Sequence, residues 1–532
     1  MDTKALRQKI LDLAIRGKLV PQDPNDEPAS VLLERIRAEK QQMVKDGRLK
    51  AKDIKNDTVI FVGEDNLHYE KYADGTVKCI EDEIPFEVPD GWEWSRFSSF
   101  SFMINGTSKR SGKDGQPTIV LRLADLGEDN ILFSDCRAVT LSEDEILKYG
   151  LKQNDILFVR VNGSKLNVGK SYLFSEKNTQ VAFCDHIIRA RVLPLVLPKL
   201  LCSYMRSGYV RQIIASRIVS AAGQNTISQP SLSTILIPIA PYKEQVRQIE
   251  AIRDAISSIR IIENNQADLL SLIDFTKAKI LDLAIRGQLV SQNPDDEPAS
   301  VLVERIRTEK EVLIKEGKIK RDKRDSVIFR GEDNSYYETI GGITENIDEE
   351  VPFEIPDTWC FARLNSIYVV NPKNDVEDET TVSFVPMALI DDQFTGHFTC
   401  EIKPWRECKR GFTHFADGDV GFAKISPCFE NRKSAIFFDL ENGYGAGTTE
   451  LFILRSYCNT ILPEYTLNLV KSGYFINRGK GTFSGVVGQQ RIDKNVVFET
   501  LVPIPPVGEQ RQIVKRIAQL FSLLDAILSA VE

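Results

Sequence analysis

Three stretches of the chain carry apolar residues at the spacing of an amphipathic helix. The first includes Leu6, Ile10 and Leu13, the second runs through residues 244–284, and the third occupies the last 24 residues. Apolar positions three and four residues apart lie on one face of a helix, and their sustained repeat is typical of a coiled-coil seam. The pattern therefore predicts a long central helix and one further helix near each end of the sequence.

The segments between these helices show the shorter alternation typical of strands. The runs ILFVRV after Asp155 and VGFAKI after Asp419 are each followed by a polar loop and a second apolar run, SYLF or SAIFF. Each pair of runs predicts a β-hairpin, and short helical patterns beside the strands predict a mixed fold. We therefore expect the α+β class, with two long antiparallel helices as a spacer between two globular parts.

An internal duplication organises the chain. Residues 10–40 recur as residues 280–310 with six differences in 31 positions, and the register continues through TVIFVGEDN and SVIFRGEDN. The motif PxxPxxEQ closes each half as PIAPYKEQ and PIPPVGEQ, whereas residues 100–235 and 365–500 barely resemble each other. Similar flanks around dissimilar middle segments indicate that the two flanks contact the same kind of partner. The two middle segments, residues 100–235 and 365–500, would then contact different partners.

The repeated parts follow the order of a circular permutation. The C-terminal stripe corresponds to the first part of the central helix, and the N-terminal stripe corresponds to its continuation. The two terminal helices together should therefore imitate the central one, as in a pseudo-two-fold repeat. Ser30 and Ser300 follow polar turns and are the expected N-caps of the next helices.

Composition and charge narrow the possible functions. A hydrophobic content of 42% with 27% charged residues is ordinary for a globular protein, and no apolar stretch reaches membrane-spanning length. The net charge of -8 argues against an indiscriminate nucleic-acid coat and leaves local basic patches open. Nine cysteines without a CxxC motif fit reduced thiols, and the N-terminus lacks a signal-peptide core, so we expect a cytoplasmic location.

The two predicted hairpins carry polar and basic tips. A two-stranded ribbon can enter a major groove, where Arg or Lys reads guanine and Asn or Gln reads adenine. The candidate DNA contacts on the hairpins are Arg160, Asn162, Ser164, Lys165, Lys170, Lys424, Ser426, Asn431, Arg432 and Lys433. The competing interpretation is that hairpin tips are polar because they face water.

Two further kinds of loop could contact DNA. The loops GQNTIS and GQQRID close the two middles, and their amide and basic side chains can donate to base edges or phosphates. Their candidate residues are Gln224, Asn225, Gln489, Gln490 and Arg491. The basic, glycine-rich stretches INGTSKRSGK and FINRGKGTF could follow phosphates or be ordinary loops. They add Lys109, Arg110, Lys113, Arg478 and Lys480.

Enzymatic and metal-binding alternatives compete with a binding function. The stretch GSKLNVGKS resembles a phosphate loop but has five residues between its glycines and precedes a predicted strand instead of a helix. His397, Cys400, Cys408 and His414 are zinc-type ligands, but their spacing matches no standard finger. A nuclease or other metal-dependent DNA enzyme remains the alternative function. Its candidate residues are Asp391, Asp392, Glu401 and Lys403.

The combined motifs resemble one family. The duplicated AxxGxLV and DEPAS segments, the DILF and PCFEN hairpins and the closing PxxPxxEQ motifs are similar to those of the DNA-specificity subunit of type I restriction-modification systems. The resemblance covers essentially the whole chain. It implies two target recognition domains that each read half of a split DNA sequence, separated by helices that act as ruler and docking surface.

The same resemblance implies partners and an absence of catalysis in this chain. The partners would be two methyltransferase subunits, which use S-adenosylmethionine, and motor-nuclease subunits; this chain would hold no cofactor. The expected segments are a helical conserved region (1–80), a first recognition domain (81–242), a central conserved region with the spacer helix (243–348), a second recognition domain (349–507) and a conserved C-terminal helix (508–532).

Overall fold

The chain forms two compact units, Met1–Asn265 (unit 1) and Gln266–Glu532 (unit 2). The computed structural model describes residues 2–112, 114–176, 180–322, 324–457, 460–486 and 489–531. The boundary between the units falls inside one helix of 44 residues, so that its first part belongs to unit 1 and its second part to unit 2. Within these described ranges no helix is both long and apolar enough to cross a membrane.

Unit 1 combines small sheets with helices. Its helices are α1 (Thr3–Ile15), α2 (Ala29–Lys45), α3 (Glu143–Tyr149), α4 (Pro198–Tyr204), α5 (Gly208–Ser216), α6 (Gln229–Ser233) and the first part of α7 (Tyr242–Ile285). Its strands are β1 (Val59–Val62), β2 (His68–Lys71), β3 (Val77–Cys79), β4 (Glu93–Arg96), β5 (Ser101–Asn105), β6 (Gln116–Leu121), β7 (Ala138–Leu141), β8 (Ile156–Val159), β9 (Val161–Asn162), β10 (Ser171–Leu173), β11 (Val181–Phe183), β12 (Ile187–Val192), β13 (Val219–Ala221), β14 (Gln224–Thr226) and β15 (Leu236–Ile239).

The sheets of unit 1 are ordered β1-β2-β3, β10-β8-β12-β5, β11-β6-β7, β13-β14-β9 and β15-β4. Strand β8 is buried throughout, as its continuous apolar sequence requires. Its residues Ile156 and Phe158 share a core with Ile10 and Ala14 of α1 and with Ile252 of α7. The middle part of this unit's sequence is thereby packed onto the helical flank.

Unit 2 repeats this plan. Its helices are the second part of α7, α8 (Ala299–Lys315), α9 (Leu364–Ile367), α10 (Trp405–Cys408), α11 (Pro463–Lys471), α12 (Gly473–Lys480), α13 (Asn495–Glu499) and α14 (Val507–Val531). Its strands are β16 (Ser326–Arg330), β17 (Tyr336–Ile340), β18 (Ile343–Asn346), β19 (Cys360–Arg363), β20 (Tyr368–Val370), β21 (Thr381–Val385), β22 (Glu401–Pro404), β23 (Thr413–Ala416), β24 (Val420–Ala423), β25 (Ser434–Ile436), β26 (Tyr444–Gly447), β27 (Leu451–Ser456) and β28 (Leu501–Ile504).

The sheets of unit 2 are ordered β16-β17-β18, β19-β28, β20-β27-β24-β25 and β22-β21-β26-β23. The sheet β20-β27-β24-β25 has the same connections as β5-β12-β8-β10 of unit 1. Each unit also has one parallel pair of strands, β6 with β11 or β21 with β26. The later strand of the pair, β11 or β26, is followed along the chain by an inner strand, β12 or β27, of the sheet just described. The two middles therefore share the connections of this sheet and of the parallel pair, which their sequences do not reveal.

Helix α1 lies antiparallel to the first part of α7 in unit 1. The Arg7 Nη2 atom donates to Glu263 Oε2 at 2.6 Å, and Gln22 Nε2 donates to Glu244 Oε1 at 3.2 Å. Moving forward along the N-terminal segment, from Arg7 to Gln22, corresponds to moving backward along α7, from Glu263 to Glu244. The two segments therefore run in opposite directions. This arrangement agrees with the predicted spacer of antiparallel helices, in which the N-terminal helix lies against the central one.

Helix α14 takes the corresponding place in unit 2. The Lys277 Nζ atom donates to Asp525 Oδ1 at 2.6 Å, and Gln266 Nε2 donates to the Val531 carbonyl oxygen at 3.3 Å. The order of these contacts again makes the two helices antiparallel. Since α1 and α14 each pair with one part of α7, the predicted circular permutation is confirmed. The five-segment division of the chain stays a prediction.

The duplicated PxxPxxEQ motif builds the same hydrogen bonds in both units. Glu244 accepts from the indole Nε1 of Trp92 at 3.0 Å, and Glu509 accepts from that of Trp359 at 2.7 Å. The next residue, Gln245 or Gln510, accepts at 2.9 Å from the backbone N–H that precedes α4 or α11. The repeat of this motif therefore has a structural cause inside each unit.

The prediction that Ser30 and Ser300 cap α2 and α8 is wrong. The N-cap positions are Pro28 and Pro298, and neither makes a side-chain capping bond. The N–H of Ala29 instead donates to the Gly91 carbonyl oxygen at 2.8 Å. Because a tertiary contact satisfies this donor, the helix begins one residue before the serine.

Candidate nucleic-acid interface

Both hairpins predicted from the sequence are present. Strands β8 and β10 pair antiparallel in unit 1, as β24 and β25 do in unit 2. Asp155 accepts from Arg191 Nε and Nη2 at 2.7 and 2.6 Å, and Asp419 accepts from the same atoms of Arg455 at 2.8 and 2.7 Å. The acid before each apolar run thus ties its hairpin to the neighbouring strand of the same sheet.

In unit 1 the hairpin meets the loop GQNTIS. The N–H of Ile227 donates to the Arg160 carbonyl oxygen at 3.0 Å, and strand β14 places Asn225 opposite Asn162. The Asn225 Nδ2 atom donates to the Gly163 carbonyl oxygen at 2.8 Å. Two candidate segments that are about sixty residues apart in the sequence therefore lie side by side.

Unit 2 joins its hairpin to the loop GQQRID in the same way. The N–H of Ile492 donates to the Lys424 carbonyl oxygen at 2.9 Å, as Ile227 does to Arg160. The N–H of Ser426 donates to the Gln490 carbonyl oxygen at 2.7 Å. The pairs Arg160/Lys424 and Ile227/Ile492 are therefore structurally equivalent.

A third loop completes each arrangement. The N–H of Arg160 donates to the His186 carbonyl oxygen at 2.8 Å, and its Nη1 donates to that of Asp185 at 2.9 Å. In unit 2 the N–H of Lys424 donates to the Glu450 carbonyl oxygen at 2.9 Å. We define platform 1 as residues 160–165, 184–186 and 224–227, and platform 2 as residues 424–426, 448–450 and 489–492.

Each platform carries a carboxylate paired with an exposed arginine. Asp185 Oδ1 accepts from Arg110 Nη2 at 2.8 Å, and Glu450 accepts from Nε and Nη2 of Arg491, both at 2.9 Å. The Arg491 hydrogen bonds hold the pKa of Glu450 below its usual value. Burial works against ionisation of Asp185, but the Arg110 pair outweighs it and the pKa of Asp185 is also lowered. Both carboxylates are therefore ionised at neutral pH.

The predicted contacts of unit 1 differ in their availability. Ser164, Lys165 and Gln224 are exposed, whereas the side chain of Asn225 is buried and holds the hairpin loop. Asn162 and Lys170 are half-buried. Outside platform 1, Lys109 Nζ bonds Glu145 Oε2 at 2.8 Å. Lys113 lies outside the described residues.

The tip of the second hairpin is partly turned inward. Arg432 is half-buried over the Phe394 ring at 4.8 Å, and its Nε donates to the Lys471 carbonyl oxygen at 3.0 Å. Lys433 Nζ donates to the Ile390 carbonyl oxygen at 2.8 Å. Burial also lowers the pKa of the Arg432 guanidinium. These contacts give both cations a structural role that the sequence pattern does not indicate.

Of the remaining candidates of unit 2, Gln489, Gln490, Arg491 and Ser426 belong to platform 2, whereas Asn431, Arg478 and Lys480 lie outside it. Asn431, Arg478, Lys480, Gln489 and Arg491 are exposed, and Gln490 is half-buried. Ser426 is buried and its hydroxyl donates to Glu430 at 2.7 Å, while Lys480 Nζ lies 3.5 Å from Glu430 Oε1. The exposed amide and guanidinium groups are the available donors of this unit.

The sequence prediction missed Asp185, His186 and Glu450. Acids are not expected to contact DNA, but Asp185 and Glu450 each hold an arginine and therefore belong to the same site. A spacing signal exists: Asp185 and Glu450 each stand 42 positions before the isoleucine of the following Gly-Gln loop. The two middle segments are too different in sequence to be aligned, so the equal spacing can be recognised only after the structure shows that the two platforms are equivalent.

The predicted metal-binding alternatives do not come together. Among the residues the structure describes, one group of three potential ligands is close enough to hold an ion, Cys184 with Asp185 and His186. There Arg110 already neutralises the carboxylate, and burial raises the pKa of the Cys184 thiol, so the group does not fit a cation. His397, Cys400, Cys408 and His414 form no such group within the described ranges.

The enzymatic alternatives also lack support in the geometry. Lys403 Nζ pairs with Glu401 Oε2 at 2.9 Å and lies over the Phe384 ring, and Asp391, Asp392 and Glu401 make no ligand cluster in the described part of the chain. In the phosphate-loop lookalike, Ser171 begins strand β10 and not a helix. The helix N-terminus that a phosphate loop requires is therefore replaced by a strand.

Comparisons with known proteins agree with the family resemblance. The type I restriction enzyme EcoAI specificity subunit of Escherichia coli is 44% identical over 249 residues, which are 47% of this chain and 39% of that protein. The EcoEI specificity subunit of Escherichia coli is 40% identical over 265 residues, 50% of this chain and 41% of that protein. This chain thus spans about four tenths of the length of these two relatives. No protein-family model matches the sequence.

A solved structure shares the fold. It was solved in work on the structural basis underlying complex assembly and conformational transition of the type I R-M system. The match has a TM-score of 0.52 and 14% sequence identity, and it covers 84% of this chain and 94% of that chain. The fold is therefore that of a mixed α/β chain with two middles and long helices. Over about half of its length, the chain is similar in sequence to the specificity subunits of type I restriction enzymes.

Proposed function

We propose that this chain is the DNA-specificity subunit of a type I restriction-modification complex and that each unit reads one half of a bipartite duplex target. The observation that carries the proposal is the pair of platforms, which use equivalent elements but present different side chains. Equivalent elements can approach a duplex alike, and different donors on them read different bases. Two unlike half-sites require this combination.

The exposed side chains of the platforms suit base edges and phosphates. Platform 1 offers Lys165 and Gln224, and the exposed Arg110 is paired with its Asp185; platform 2 offers Gln489 and Arg491. Arginine and lysine read guanine, glutamine reads adenine, and cations also contact phosphates. The chain's net charge of -8 confines attraction for DNA to such local groups.

The duplicated flanks suit a partner that binds twice. Residues 10–40 and 280–310 are nearly identical, whereas the platforms between the flanks differ. We therefore assign the flanks to two methyltransferase subunits, which would bring S-adenosylmethionine, and assign further contacts of the complex to the motor-nuclease subunits. On this proposal the chain acts on DNA in the cytoplasm and is itself non-catalytic.

The proposal is tested by selection from duplexes with random sequence, using the purified full-length chain with and without a co-expressed methyltransferase subunit. We expect enrichment of two short motifs separated by a gap of fixed length. We also expect methylation only when the second polypeptide is present. Enrichment of one continuous motif, or methylation by the chain alone in a preparation free of host methyltransferase, would contradict the proposal.

A further inference from the structure

A carboxylate on each platform requires an explanation, because it repels the phosphates that the surrounding cations would attract. Asp185 lies in the loop between β11 and β12, and Glu450 lies in the loop between β26 and β27. The strands on either side of the two loops are topologically equivalent. The acid therefore recurs at one place in the fold although the neighbouring sequences differ.

The partner of each acid comes from a different element. Arg110 follows β5 in the basic loop of unit 1, whereas Arg491 belongs to the Gly-Gln loop of unit 2. In both pairs the arginine side chain is 49% exposed, and the carboxylate side chain is less exposed, at 32% for Asp185 and 24% for Glu450. The acid is thus the inner member of each pair and the guanidinium the outer one.

The geometry in unit 2 leaves one edge of the guanidinium available. Glu450 takes the edge formed by Nε and Nη2 of Arg491, with both distances at 2.9 Å. The Nη1 atom and the second hydrogen of Nη2 form the opposite end of the fork. A guanidinium has five N–H donors in a fixed plane, so holding one edge orients the end that can donate to guanine O6 and N7.

We propose that Asp185 and Glu450 are positioning residues for sequence recognition, which hold Arg110 and Arg491 toward base edges and weaken their binding to phosphates. The inference rests on the proposed function. An arginine without its acid would keep its charge and gain freedom, and would contact the phosphates of any sequence. Each acid therefore increases specificity by reducing non-specific affinity as well as by orienting the fork.

The test compares Glu450→Gln with the wild-type full-length chain on three duplexes: the selected target, its single-base variants in the half-site read by unit 2, and random sequence. We expect the ratio of target to random affinity to fall by about tenfold, the lower range for one bidentate base contact. Affinity for random DNA should rise, and discrimination should be lost at one base pair. Glu450→Gln combined with Arg491→Ala should be no less specific than Arg491→Ala alone.

The matched control is Glu345→Gln, an exposed acid on β18 whose loss changes the net charge equally. It should leave the ratio and the base preference unchanged. A Glu450→Gln chain that keeps the wild-type ratio, or that loses affinity for target and random DNA alike, would overturn the inference while the proposed function stands. A wild-type chain that selects no sequence would overturn the proposed function, and the inference with it.

Discussion

At the residue scale, one buried arginine ties the small three-stranded sheet of each unit to the strand that follows it. Arg96 on β4 binds Glu70 on β2 at 2.7 Å, and Arg363 on β19 binds Glu338 on β17 at 2.5 Å. Both arginine side chains are 10% exposed, and both also contact a second glutamate. Such a buried pair is costly to break, because either partner alone would leave an unpaired charge.

Removing Arg363 should therefore destabilise unit 2. We expect Arg363→Met to lower the free energy of unfolding by about 3 to 5 kcal/mol, because Glu338 would remain buried without its counter-ion. The control is Arg330→Met, since Arg330 pairs on the surface with Asp357, whose side chain is 95% exposed. That change should cost less than about 1 kcal/mol. Equal shifts of the urea midpoint in the two variants would contradict this account.

Lys471 gives a pH dependence with a definite sign. Its ammonium group donates to the carbonyl oxygens of Gln393 and Arg432 at 2.8 Å each, and burial, followed by the nearby Arg432 charge, lowers its pKa to about 7. Because the unfolded chain binds this proton more tightly, stability should rise with pH above about 7, by at most about 1.4 kcal/mol per pH unit. The slope should continue up to the ordinary lysine pKa.

The variant Lys471→Met should remove this contribution to the slope, which is measured as urea midpoints between pH 7 and pH 9. Lys315→Met, at an exposed position near the end of α8, is the control and should keep the wild-type slope. A wild-type slope retained in Lys471→Met would show that the buried amine does not titrate in this range.

At the element scale, a glycine ends each helix of the repeated AIRG sequence. Gly17 and Gly287 have φ angles of 65° and 67°, in the left-handed region that favours glycine. A Cβ atom at Gly17 would lie 2.5 Å from Pro89 Cγ, and one at Gly287 would lie 2.4 Å from Pro356 Cγ. The glycine is therefore required both by the turn and by the proline that packs on it.

These two requirements can be separated by measurement. Gly17→Ala should destabilise unit 1 by more than about 2 kcal/mol, because it adds overpacking to the cost of a positive φ. Gly47→Ala is the control, since its φ is 71° and, apart from its own chain neighbours, no described residue has an atom within 4 Å of the added Cβ. It should cost about 1 kcal/mol. A similar loss in both variants, measured by thermal unfolding, would mean that the Pro89 contact contributes nothing.

Several elements could be predicted from the sequence because their pattern is local. The stripe of Ile249, Ile252 and Ile256 predicts α7, and the alternation after Asp155 predicts the hairpin of β8 and β10. The predicted start of α2 was wrong, because the first N–H of this helix donates to a carbonyl group that is distant in the sequence. Two features of unit 2 depend on tertiary contacts, which no local sequence pattern contains. One is the inward orientation of Arg432, and the other is the ion pair between Arg491 and Glu450.

At the scale of the whole molecule, the duplication and the circular permutation give α7 a place in both units. It is one helix of 44 residues, and the family resemblance assigns such a helix the role of a ruler. If the proposal is correct, the length of α7 contributes to the gap between the two half-sites. Changing that length without changing either platform tests this role.

A duplication of residues 262–265 would add four residues at the boundary between the units. The added rise of about 6 Å should lengthen the preferred gap by one or two base pairs, at about 3.4 Å per step. The gap is measured by sequencing the methylated sites of the assembled complex. A variant that assembles and keeps the original gap would show that α7 does not set it.

The central claim, that each unit reads its own half of the target, is tested most directly by exchanging one middle. Residues 95–235 begin and end beside each other, because β4 and β15 pair with Ser95 opposite Ile237. A chimera that carries the corresponding segment of a known type I specificity subunit should therefore fold and, if the proposal holds, recognise a target in which one half-site is new. The other half-site and the gap should be unchanged in the methylation pattern. A chimera that changes both half-sites, or neither, would contradict the account.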